Sequence, residues 1–286
     1  MKKLYVYADF DWLKDVEFIG ELGYESLRGA DSYSFTFNNE WLRQHSGPFL
    51  SDDLNNYPEQ QYTQPDKDIF GCFSDALLDR WGRTLLLRRE QITVAEEKRP
   101  VRRLSPFDFL TGIDDFSRMG GFRFKETPDG EFINVSESLK IPPLTDIREL
   151  ISASAEIEKS EENNMLPDKK WIAQLVQPGT SLGGARPKAN VIDTDKTLYV
   201  AKFPSRKDDY NVGLWEHFSH LLATKAGVNV AKTKVLATGE KYHTLLSQRF
   251  DRTNDSKRIH DGTPAKLQSP NDTGSHVSVD GGTTDA

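Results

Sequence analysis

The chain has 286 residues, enough for two domains with substantial cores, and 36% of them are hydrophobic and 10% aromatic. A formal charge of −7 argues against broad attraction to nucleic acid and leaves only local basic patches. The single cysteine, Cys72, excludes an intramolecular disulfide and any multi-cysteine metal site, and fits a reducing cytoplasm. No apolar run approaches ~18 residues, and MKKLYVYADF has two lysines but no apolar signal stretch, so a cytoplasmic protein with no membrane partner is expected.

The first elements read as short aromatic-rich strands, LYVYADF, EFIGELGY and YSFTF; in the last, Tyr33, Phe35 and Phe37 alternate with Ser34 and Thr36, the period of a half-buried strand. In DIFGCFSDALLDRWGRTLLLRRE, Ile69, Phe73, Leu77, Trp81 and Leu85 recur every four residues, which predicts one amphipathic helix, weakened slightly by Gly71 and Gly82. RPVRR (99–103) reads as a solvated basic cluster. RLSPFDFLTGI opens another helix with Ser105 as N-cap and Pro106 in the first turn. GGFRFKETPDGEFINV reads as a hairpin around Pro128, Asp129 and Gly130. A helix and a polar linker follow, and a domain boundary is expected near 160–168.

From about 169 the order reads short helix, glycine loop, strand, the turn DTDK, a strand ending at Lys202, a helix from about 211 to 226 stopped by Gly227, and the strands TKVLAT and HTLLSQRF. Residues 253–286 contain no aromatic residue and few aliphatic ones, and are expected to lack order. The glycine loop lies between antiparallel strands, which does not suit the dinucleotide fingerprint, and SLGGARPK lacks the Walker spacing. The layout does suit the small lobe of a protein kinase, where a glycine loop covers ATP and a later strand carries a lysine.

Several residues carry chemistry in that reading. Gly183 and Gly184 let the backbone approach a ligand, and successive amides can cradle oxyanions, to which Lys188 adds a charge; the alternative is a hairpin entry that needs glycine. Lys202 shares a strand face with Val200 and Leu198, so its ammonium needs an anionic partner or snorkels to water. Glu216 lies roughly opposite Leu214 on the helix, whose apolar stripe is Leu214, Phe218, Leu221 and Leu222. The helical wheel alone favours a solvated glutamate there, and contact with Lys202 requires the helix to pack between sheet and site. LLSQRFDR reads as a kinase hinge with backbone groups open to an adenine, or as an ordinary strand exit. His217, His220 and His243 show no metal spacing and read as surface or helper residues.

Six motifs in order, FSDALLDRWGRTLL, FDFLTGIDDFSRMGGFRF, SLGGARPKANV, LYVAKFPS, HLLATKAGVNV and SQRFDR, together resemble the HipA-type toxin kinases of bacterial toxin–antitoxin modules over roughly 1–252. The resemblance implies an α+β chain: a family-specific N-terminal domain at 1–160, a kinase-like small lobe at 161–252 and an aberrant tail at 253–286. It implies ATP contacts from Gly183, Gly184, Ala185, Arg186, Pro187 and Lys188, with Lys202 holding the α/β-phosphates. Gln248, Arg249 and Phe250 would receive the adenine, Glu216 would pair with Lys202, and Ser181 would be an autophosphorylation position whose added charge repels ATP. Its implied partners are a HipB-like helix-turn-helix antitoxin, operator DNA reached through that antitoxin, and a protein substrate such as an aminoacyl-tRNA synthetase. The family's catalytic aspartate, its asparagine and the Mg²⁺-binding aspartate have no match after Arg252. The expectation is therefore a truncated kinase with no turnover alone, active only if another chain supplies the missing lobe, or an inactive fragment that binds nucleotide or antitoxin.

Overall fold

A computed structural model describes residues 2–27, 30–45, 50–64, 67–134, 141–176, 184–238, 241–253 and 257–259. The fold is α+β, with two antiparallel sheets and helices among the described residues. The first sheet consists of β1 (Lys2–Ala8), β2 (Glu17–Leu27), β3 (Ala30–Phe37), β4 (Gln61–Tyr62) and β5 (Phe122–Lys125), in the order β4-β3-β2-β1-β5. Tyr33, Phe35 and Phe37 are buried, as their alternation predicts, and Phe73 packs edge-on against Phe122 with ring centroids 5.0 Å apart. Helix α1 (Asn39–Gln44) is capped by the Asn38 carboxamide. The predicted hairpin is only half formed: β5 pairs with β1, and the second run returns a single bridge, Lys125 to Phe132.

The helix expected over 69–85 is broken. Its residues form a single turn, α2 (Gly71–Ser74), and then α3 (Arg80–Glu97). Between them Asp79 is extended, and its Oδ1 accepts the Gly82 N–H at 2.8 Å, which starts a new helix. All five periodic side chains are buried, but Ile69, Phe73 and Leu77 enter the core under the first sheet while Trp81 and Leu85 enter a second core. The four-residue spacing reported burial correctly and backbone continuity wrongly. Helix α4 (Pro106–Thr111) has the predicted Ser105 cap, completed as a capping box by Asp108.

The second core gathers α3, α5 (Ile147–Glu162) and α6 (Lys169–Val176) against one face of a sheet made of β6 (Lys188–Ile192), β7 (Leu198–Lys202), β8 (Thr233–Leu236) and β9 (Thr244–Gln248). The sheet order is β6-β7-β9-β8, and α7 (Val212–Lys225) connects β7 to β8. Ala189, Val191, Ala201, Phe203 and Leu246 supply the core face. By strand alternation the other face carries Lys188, Asn190, Val200 and Lys202, and this is where the polar chemistry collects. Gly227, at φ +80°, follows the last turn of α7, as a helix-stopping glycine should. No helix among the described residues is long and apolar enough to cross a membrane.

Candidate functional site

The two lysines singled out in the sequence are cross-strand neighbours. Lys188 on β6 stands directly opposite Lys202 on β7, so their Cβ atoms lie about 5 Å apart on one face. Two ammonium groups at that spacing repel, and each is held by its own carboxylate.

Lys202 pairs with Glu216 of α7, and both side chains are about a quarter exposed, at 27% and 29%. The solvated glutamate favoured by the helical wheel is thus overturned: α7 turns its polar side onto the sheet. Three contacts hold it there. The His217 Nδ1 lies 2.8 Å from Thr233 Oγ1, the His220 Nδ1–H donates to the Ala231 carbonyl at 3.1 Å, and Asn211 bridges the first turn to His243. At Gly213 a Cβ would stand 2.4 Å from the His243 carbonyl oxygen, so glycine is required for the helix to lie this close. The histidines, read as helpers, tie α7 to the sheet.

Lys188 is fully buried and its Nζ lies 2.9 Å from Asp79 Oδ2 and 3.0 Å from the Gly184 carbonyl oxygen. Burial pushes its pKa down, and the charge of Asp79 and its hydrogen bond oppose that shift. Asp79 therefore does two jobs: it caps α3 and neutralises the lysine beside the glycine turn. Trp81 N–H also donates to the Gly184 carbonyl, at 3.2 Å, fixing this turn on the N-terminus of α3. Gly184 itself sits at φ +102°, a conformation side chains rarely adopt. Ala185 is exposed, Pro187 is buried with its carbonyl accepting from Phe203 N–H at 2.9 Å, and Arg186 makes a two-pronged pair with Asp208. Asp208 also accepts the Ser205 N–H, so that pair braces the loop between β7 and α7. Ser181 and Gly183 lie outside the described residues.

The hinge candidates sit at the other end of β7, where Tyr199 faces Gln248 while Lys202 faces Leu245. The Gln248 and Arg249 amides are taken by the carbonyls of Lys232 and Leu198, at 2.8 and 2.9 Å. Phe250 is half exposed. The Arg249 side chain turns inward to Asp251, the Ser117 and Arg118 carbonyls and Asn190 Oδ1.

Arg249 belongs to a charge cluster that sequence reasoning missed. Arg118, Arg249, Arg252 and Arg258 are all buried, with the buried carboxylates of Asp115 and Asp251 among them. The guanidinium groups of 249, 252 and 258 donate to the backbone carbonyls of Asp115, Phe116, Ser117, Arg118 and Gly120. Burial acts to raise the Asp251 pKa, but its hydrogen bond and charge pairing with Arg249, together with Arg252, hold it down at about 2. The signal was present as DR at 251–252, an acid set between two arginines. Residues 253–286, expected to lack order, thus include one firmly placed side chain, because Arg258 finds Asp115; beyond 259 the tail lies outside the described residues.

The lysine–glutamate pair beside the glycine turn can offer a partly exposed ammonium to an anionic ligand, since Glu216 engages one of its three protons. Among the described residues no group of three or more His, Cys, Asp or Glu side chains could hold a metal ion. No curated protein matches the chain. Residues 180–270, the stretch that supplies Gly184, both lysines, α7 and β9, match the HipA-like C-terminal domain, and that match supports the HipA family.

Proposed function

We propose that this chain is a HipA-like protein that binds the phosphates of ATP between the glycine turn at Gly184 and the ammonium of Lys202. The observation that carries the reading is the Lys202–Glu216 pair on the sheet face of Lys188, whose ammonium bonds the Gly184 carbonyl: it holds a cation about a quarter exposed where a polyphosphate would approach. Lys188 is not a second phosphate ligand in this reading. It secures the turn from behind by bonding the Gly184 carbonyl. Phosphoryl transfer to a protein substrate requires an aspartate base and metal-borne charge as well. The reading therefore assigns the chain nucleotide binding and leaves transfer to groups beyond the described residues.

The test is equilibrium binding of a fluorescent ATP analogue to the wild-type chain and to Lys202→Met. Losing one charge-assisted hydrogen bond to phosphate is expected to weaken binding by about tenfold or more. Equal affinity in the two proteins would remove the assignment of Lys202. Incubation with radiolabelled ATP addresses transfer separately: label on Ser181 or on an added protein would show turnover that this reading does not give the chain alone.

A further inference from the structure

Helix α7 is built inside out. Its polar side, Glu216, His217 and His220, faces the sheet, and the side turned away carries Leu214, Trp215, Phe218, Leu221 and Leu222, each between 43% and 59% exposed. These five occupy an arc of about 120° at helical spacing, the width of a stripe that normally faces a core. Trp215 and Phe218 already contact each other edge to face, with centroids 5.7 Å apart. A contiguous apolar stripe of this size on a surface marks an interaction site.

We propose that this stripe is the contact between two copies of the chain, with their α7 helices packed antiparallel about a two-fold axis near Phe218. Full burial of the exposed half of these five side chains would remove on the order of 550 Å² per copy, so about 1,100 Å² in the pair, which clears the floor of about 1,000 Å² for a biological contact and fits a weak dimer. The charges select the antiparallel sense. Lys225 ends the stripe and the exposed Asp209 precedes the helix. An antiparallel pair sets each Lys225 beside the other copy's Asp209 and opposes the helix dipoles, whereas a parallel pair sets Lys225 against Lys225. The midpoint between 209 and 225 falls beside Phe218, which puts that ring at the symmetry axis. The tail is a poor cover for the stripe: from 260 to 286 its larger apolar side chains are Leu267, Val277 and Val279.

Sedimentation equilibrium of the full chain tests the proposal, with Phe218→Glu as the probe. Wild type is expected to dimerise, and two glutamates meeting at the axis are expected to weaken that association by at least about tenfold. Position 218 is half exposed, so at concentrations where both proteins are monomeric the thermal melt followed by circular dichroism should be unchanged. Phe218→Cys, under mild oxidation, should give a disulfide-linked dimer, while the wild-type chain with Cys72 alone should not. A monomeric wild type, a dimer or larger aggregate indifferent to Phe218→Glu, or association only with a different protein would each overturn the proposal.

Discussion

Replacing Asp251 with Asn removes the counter-charge at the centre of the buried arginine cluster without changing its volume. The carboxylate accepts from Arg249 Nε at 2.8 Å and Nη2 at 2.5 Å, from Arg252 Nη1 at 2.6 Å and from the Gly120 amide at 2.9 Å. Asn offers one acceptor oxygen and points an amide group at guanidinium donors, so two buried cations are left under-compensated. Breaking such a buried pair costs about 3–5 kcal/mol, large against the stability of an ordinary domain. Urea denaturation gives the value directly, provided the slope of the transition is unchanged. Arg249→Met combined with Asp251→Leu is expected to cost less than the two single changes added together, by about 1.5 kcal/mol or more, because the charges leave as a pair. The pH dependence carries its own sign. The folded-state pKa, at about 2, lies below the ordinary value of 3.8, so the contribution is complete above 3.8 and is lost as pH falls through 2. The shift corresponds to roughly 2.5 kcal/mol, which Asp251→Asn should remove from the acid limb. A measured loss under about 1 kcal/mol, or a wild-type acid limb unchanged by the substitution, would refute the assignment of Asp251 as the centre of the cluster.

Other expectations are equally direct. Asp79→Asn leaves Lys188 buried without its anion, and should cost about 3–5 kcal/mol in urea denaturation. Because burial already depresses the Lys188 pKa below 10.5, the unfolded chain binds the extra proton just under that pH. The deficit of Asp79→Asn should therefore shrink as pH rises toward 10.5, and a deficit that grows would contradict the pairing. Gly213→Ala drives a Cβ into the His243 carbonyl and should lift the first turn of α7, costing about 1–3 kcal/mol in a thermal melt. The same substitution should lower nucleotide affinity, since Glu216 rides on that helix.

Much of the fold was legible from residue patterns. The aromatic alternation of β3, the Ser105 cap and the order of elements after 169 each depend on local rules that neighbours do not override. The break at Asp79 was harder to see, because a four-residue apolar period is satisfied equally by one helix or by a helix, a kink and another helix serving two cores. At the site, residue types were readable and partners were not. Lys202 announced that it needed an anion, yet only packing could choose Glu216, since the wheel assumes that a helix buries its apolar side. Lys188 looked like a ligand because its partner, Asp79, lies 109 positions away. The arginine cluster was hidden for the same reason, its donors and acceptors being separated by more than 130 residues.

That separation has a consequence for how the chain is made. The loop at 113–120 is synthesised first, and the guanidinium groups of 249, 252 and 258 that bond its carbonyls follow more than 130 residues later. Until they emerge from the ribosome, those carbonyls remain bound to water and Asp115 has its neighbour Arg123 but not yet Arg258. The N-terminal sheet can assemble in the meantime, while its loop is completed only by a long-range closure, the kind of step that slows folding most.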